Sequence, residues 1–173
     1  IYTAGTSAKP EDLIEKNKFK VYESSRGGQY TYHGPGQKII YLMLNLRKKG
    51  YDIRKFISLI EEWIIISLQD IGVKGINDKD HVGIWVEDKN TLKKISSIGL
   101  RVRKGITFHG VSINMNPNLE NFKGINPCGN NPNDVTSLEE MGLKKEIKYF
   151  DDILIRNFNK LFNAKLKLRK IQE

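Results

Sequence analysis

The sequence predicts an α+β fold: a mixed, largely antiparallel sheet flanked by helices. Three observations carry this. Two segments, 53–71 and 144–162, repeat apolar residues at helical spacing; several shorter segments alternate with a period of two; and Gly, Pro and Asn clusters separate them. At 173 residues, with 39% hydrophobic and 28% charged residues, the chain can bury one core, and the composition excludes disorder. One domain is expected over 1–173, without repeats or a linker.

"IYTAG" alternates and stops at glycine, as a strand end does. "PEDLIEKN" reads as a short helix with Pro10 in its first turn. "KFKVYES" alternates again. "RGGQYTYHGPGQ" is too rich in glycine for a regular interior element and reads as an ordered loop between strands. "KIIYLMLNL" is the best buried strand by its apolar run. Asp52 then precedes the clearest helix, with Ile53, Phe56, Ile57, Ile60, Trp63, Ile64, Leu68 and Ile71 on one face and Gly72 beyond its end. "VGIWVE" and "ITFHGVSINMN" alternate as strands on either side of "LKKISSIGLRVR". Residues 114–133 are turn-rich, and "SLEE" from Ser137 has the form of a capping box. The second long helix places Ile147, Phe150, Leu154, Phe158 and Leu161 on one face, and "AKLKLRK" looks like a solvated strand edge.

The net charge is +9, from 29 Lys and Arg against 20 Asp and Glu. Such a field steers acidic partners, whether nucleic acid or an acidic carrier protein; a merely solvated basic surface fits the number equally. Cys128 is the one cysteine, which excludes an internal disulfide framework and a Cys-x-x-Cys zinc or redox site. A reducing compartment is expected and no metal site. The first residues lack the basic and apolar regions of a signal peptide. The longest apolar run, "WIIISL", is too short to span a bilayer.

Three stretches could carry chemistry. In 26–37, four glycines allow positive φ and close approach of backbone to a ligand, with His33 among them. An isolated glycine cluster is more often a tight hairpin with a surface histidine, and neither a Walker A loop nor a dinucleotide fingerprint is present. In 93–116, Lys93 and Lys94 point to opposite faces if the segment is a strand, so one of them at most faces a site on a given side. His109-Gly110 repeats the His33-Gly34 pairing. Cys128 lies in a Pro/Gly/Asn turn, not an apolar run, which favours exposure. A thiol beside a lysine or histidine becomes a thiolate nucleophile suited to acyl transfer through a thioester. On these residues alone, a cysteine acyltransferase or hydrolase and a binding module both remain open.

Taken in order and spacing, "RGGQYTYHGPGQ", "KISSIGLRVRKGITFHGVSINMN" and "GINPCG", with "YTAG" and "GIWV", resemble the lipoyl(octanoyl) transferase family from residue 1 to about 142. The resemblance implies the fold shared by biotin and lipoate protein ligases, and a single catalytic domain over 1–173 that lacks the N-terminal part of the family domain. It implies transfer of an octanoyl group from octanoyl-acyl carrier protein to a lysine of lipoyl domains through a cysteine thioester, the first step of lipoate biosynthesis. The acceptors implied are the lipoyl domains of 2-oxoacid dehydrogenase complexes and the glycine cleavage H protein. Cys128 matches the nucleophile and Lys94 the lysine that holds it as thiolate. Arg26, Gly27, Gly28, Gln29, Tyr30, Thr31, Tyr32 and His33, then Ser97, Ile98 and Gly99, then Gly110, Val111 and Ser112, match the substrate-binding segments, with His109 in support. No cofactor, nucleic acid or membrane is implied, and a bacterial cytoplasmic monomer is expected. "NDKDHVG" (77–83) departs from the family's approach to "GVWV" and should alter a surface turn. The rivals are an ATP-dependent lipoate- or biotin-type protein ligase and a basic nucleic-acid-binding module.

Overall fold

A computed structural model describes residues 1–78, 82–127, 131, 133–144 and 146–167. Its strands are β1 (Tyr2–Ala4), β2 (Val21–Glu23), β3 (Tyr30–Tyr32), β4 (Gln37–Tyr41), β5 (Gly75–Asn77), β6 (Ile84–Asp88), β7 (Thr91–Ile98), β8 (Arg101–Arg103), β9 (Ile106–Phe108) and β10 (Gly110–Asn114). The helices are α1 (Leu46–Lys49), α2 (Ile53–Gln69) and α3 (Phe150–Phe162). The α+β class is as expected, but the strands form three sheets, not one: β2-β1-β3, β4-β10-β7-β6-β5 and the hairpin β8-β9. Gly99 follows β7, and His109 adopts a left-handed φ of 60° between β9 and β10. Those two interruptions turn β8 and β9 out of the main sheet. Among the described residues, the strands pair antiparallel except β1 with β2, and an isolated parallel bridge joins Lys94 to Val135.

Several local readings need correction. The stretch 26–37 is not all loop. Its Tyr-Thr-Tyr alternation forms β3, because β1 supplies ladder partners and the two tyrosine rings find an aromatic core. "KIIYLMLNL" gives an edge strand, β4, which among the described residues pairs with β10 alone and is partly exposed. Its apolar residues serve two faces: Ile40 packs on the main core, while Ile39 and Tyr41 look the other way. The helix at Pro10 is a single tight turn, Pro10–Asp12. The α3 helix starts at Phe150, after a 3-10 turn at Glu146–Tyr149. Ser137 Oγ does accept from Glu140 N at 3.2 Å, but a turn follows instead of a helix. Residues 164–167 form no strand, and the rest of "AKLKLRK" lies outside the described residues, as do 79–81 of "NDKDHVG".

The α2 helix is as read. Asp52 Oδ1 accepts from Lys55 N at 2.8 Å, capping its first turn. Phe56, Ile60, Ile64 and Leu68 are buried against Ile84, Val86, Ile95 and Ile113 of the main sheet and against Phe150, Leu154 and Phe158 of α3. Trp63 Nε1 donates to Leu154 O at 2.8 Å and so ties the helices together without leaving a buried donor unmet. A second, aromatic core of Tyr2, Tyr30, Tyr32, Phe122 and Ile125 underlies the small sheet. Tyr32 and Phe122 meet edge to face, with centroids 5.3 Å apart. Each of the two larger sheets therefore commits one face to a core and leaves the other face for something else. Among the described residues, no helix is long and apolar enough to cross a membrane.

Candidate active site

The two uncommitted faces meet across a cavity of about 360 Å³. On the small sheet, strand alternation turns Tyr2, Tyr30 and Tyr32 into the aromatic core and points the paired Thr3 and Thr31 into the cavity. On the main sheet, Ile39, Ser112 and Ser97 form one cross-strand row on the cavity side, and Tyr41 stands opposite Gly110 in the next. Gly110 permits that pairing, since a Cβ there would collide with the Ile40 carbonyl. The lining is mainly apolar, with hydroxyls and two imidazoles set into it.

The loop 24–28 closes one end. Arg26 is 8% exposed and braces it. Its Nη2 donates to Thr3 O and Gln29 O, both at 2.6 Å, its Nε to Thr3 Oγ1 at 3.0 Å, and its Nη1 to Gly27 O at 3.0 Å. Gly27 N donates to Gly99 O at 3.3 Å and Gly99 N to Gly110 O at 2.8 Å, so the three glycine-containing segments are laced to one another. His33 and His109 line the cavity. Burial, and then the Arg26 charge, push His33 down to about 4. His109 is lowered by burial, Arg26 and Arg101 in that order, and its Nε2 lies 3.0 Å from Ser25 Oγ. Both rings are therefore neutral at pH 7. His33 Nδ1 is buried and has no partner at hydrogen-bonding geometry among the described residues, though Gln37 lies close enough to offset part of the lowering.

Of the residues singled out from sequence, Arg26, Gly27, Gly28, Thr31, His33, Ser97, Ile98, Gly99, His109, Gly110, Val111 and Ser112 meet around this one cavity. Gln29, Tyr30 and Tyr32 do not line it. The tyrosines face the aromatic core, and Gln29 contributes its carbonyl to Arg26. Thr3, Ser24, Ile39 and Tyr41 also line it and were missed. Thr3 could have been found from its alternation with Tyr2; Ser24 carries no signal of its own. Cys128 lies outside the described residues.

Lys94 is 5% exposed, with Nζ 4.7 Å from the centre of the Trp85 ring. A β-bulge orients it. Ile84 pairs with Ser96 while its neighbour Trp85 pairs with Lys94, so Ile95 is an extra residue on β7. The bulge sends Ile95 into the main core and puts Lys94 on the same face as Ser97, three positions away, where a regular strand would have placed Lys93. Lys93 instead pairs with Asp88 at 3.1 Å. Gly83 lies against the Lys94 stem with φ 128°, and a Cβ there would come within 2.6 Å of Ser96 O. Lys94 N donates to Asp134 O at 2.7 Å and Thr136 N to Lys94 O at 3.0 Å, which fixes the stretch after residue 131 beside the lysine.

The structure is an α+β domain with a cavity between two sheets, walled by glycine segments, and with the buried Lys94 on the same sheet face as the lining residue Ser97. Residues 1–159 match the lipoyl protein ligase A/B catalytic domain. The chain is 44% identical over 171 residues to an octanoyltransferase of Cereibacter sphaeroides, covering 94% of this chain and 78% of that protein. It is 48% identical over 171 residues to one of Bartonella henselae, covering 94% and 70%. The crystal structure of a lipoate-protein ligase A bound with ATP superposes with a TM-score of 0.70 at 19% identity, covering 99% of this chain and 72% of that one. The chain belongs to the lipoyl protein ligase A/B catalytic domain family, in its lipoyl(octanoyl) transferase branch, and is an acyltransferase.

Proposed function

We propose that the chain transfers an octanoyl group from octanoyl-acyl carrier protein to a lysine of a lipoyl domain, through a thioester on Cys128. The observation that carries this reading is the cavity into which three separate segments converge, apolar enough for an acyl chain and laced by backbone hydrogen bonds at one end. Octanoyltransferase relatives support the acyl group and the reaction class.

In this reading Lys94, as ammonium, holds Cys128 as thiolate. The thiolate attacks the thioester carbonyl, glycine-loop amides stabilise the oxyanion, and the carrier's phosphopantetheine sulfur leaves as a thiol with the proton from Lys94. The lipoyl-domain amine then attacks the acyl-enzyme, giving an amide and returning the sulfur as thiolate. That amine must shed a proton. Lys94, having given its proton to the departing thiolate, is then a neutral amine able to take this one, whereas His33, lowered to about 4 by burial, is too weak a base to keep it. One thioester replaces another of similar energy, so no ATP is required. In this reading the reaction takes place in the bacterial cytoplasm.

Intact-mass measurement tests the reading. Incubation with octanoyl-carrier protein should add one octanoyl group to the enzyme, and the adduct should vanish in Cys128→Ser. An adduct that persists in that variant removes Cys128 from the mechanism. Transfer from free octanoate and ATP, without carrier protein, would assign the chain to ligase chemistry instead.

A further inference from the structure

The 20 Asp and Glu residues are unevenly placed: none falls in 24–51 or in 89–119, the two stretches that supply most of the cavity wall. Those stretches carry Arg47, Lys48 and Lys49 on α1, and Arg101, Arg103 and Lys104 on β8 and its turn. The fold joins the two groups. Leu46 N donates to Gly105 O at 2.8 Å, Asn45 bridges to Ile106, and the Arg47 side chain packs over Gly105. The platform also reaches the cavity rim: Arg101 Nη1 donates to Thr6 Oγ1 at 2.9 Å, and Thr6 N donates to Arg26 O at 3.1 Å.

None of these six cations forms an ion pair among the described residues, whereas Lys18, Lys38, Lys93, Lys123, Lys144 and Arg156 do. Clustered like charges repel one another and gain nothing for the fold, so the field is directed outward. Ile106 is 49% exposed on the same hairpin and Met43 is 73% exposed just before α1, giving apolar surface among the charges. Neither α1 nor 101–106 contains an aromatic residue on which a base could stack.

We propose that α1 and the β8–β9 hairpin form the docking platform for an acidic protein face, that of the carrier which delivers the acyl thioester into the adjacent cavity. This rests on the function proposed above. The field steers the carrier and holds its thioester arm over the cavity mouth, with the acyl chain below.

The test compares the unaltered protein with a Lys48→Glu/Lys49→Glu/Arg103→Glu variant, using octanoyl-carrier protein and the small neutral donor octanoyl-pantetheine. With the carrier, kcat/KM should fall about tenfold or more at low ionic strength, and the difference should shrink at high salt. With octanoyl-pantetheine it should not change, which also shows that the variant is folded. An equal loss with both donors, or no loss with the carrier, overturns the platform. So does an affinity for an oligonucleotide that falls while carrier binding stays constant. If the unaltered protein uses neither donor, the proposed function fails by itself. Carrier binding measured by fluorescence anisotropy then still decides the platform: weakened binding in the variant supports it, and unchanged binding overturns it.

Discussion

One inserted residue, Ile95, decides where Lys94 points. Reading the strand with perfect alternation puts Lys93 with Ser97 on one face; the bulge reverses that and brings Lys94 over Trp85 on the cavity side. If this ammonium holds the Cys128 thiolate, Lys94→Ala should raise the thiol pKa. The pH profile for iodoacetamide alkylation of the single cysteine should then move to higher pH, and an unmoved profile would count against the pairing. His33 makes a separate prediction about stability. Its folded pKa of about 4 lies below its ordinary value of 6.5. Between those two pH values the unfolded chain binds more protons than the folded one. The His33 contribution is therefore intact above about pH 6.5 and is lost progressively as pH falls toward 4. Urea unfolding across this window should show that loss, and His33→Gln should flatten the slope.

At the scale of single elements, β6 is constrained at its first turn and α2 at its cap. Gly83 has φ 128° and no room for a Cβ against Ser96 O. Gly83→Ala should cost about 1–3 kcal/mol in unfolding free energy from backbone strain, and should lower activity by shifting the lysine stem it touches. Asp52→Ala should cost about 1 kcal/mol by freeing the Lys55 amide. Ile64→Ala, at a fully buried site between sheet and helix, should cost about 2–5 kcal/mol. Denaturant midpoints at constant slope would rank the three. The α2 helix was legible because periodicity, cap and terminal glycine all agreed. The edge strand β4 was misread because an apolar run says that residues are covered but not by what. Ile40 meets the core, and Ile39 meets the cavity.

The whole molecule stacks two sheets with a core beyond each and an apolar cavity between them. Chain-length preference belongs to this scale, because no single residue makes the cavity. Each methylene moved from water into it is worth about 0.8 kcal/mol, about fourfold in affinity. Donors shorter than octanoyl should therefore lose about fourfold in kcat/KM for each methylene removed. A flat dependence from four to eight carbons would mean that the acyl chain does not enter the cavity.

The sequence by itself determined the class of fold, both long helices, the family, and most of the residues around the cavity, because each leaves a local trace: a period, a cap, or a glycine where a side chain cannot fit. The tertiary structure decided that the strands divide into three sheets and that Tyr30 and Tyr32 turn away from the cavity while Thr3 and Thr31 turn toward it. It also brought together α1 and the β8–β9 hairpin, which come from two separate stretches that contain no Asp or Glu. The physical reason is that a strand's two faces and a loop's neighbours are assigned by pairing between distant segments, and such pairing leaves no mark within any one of them.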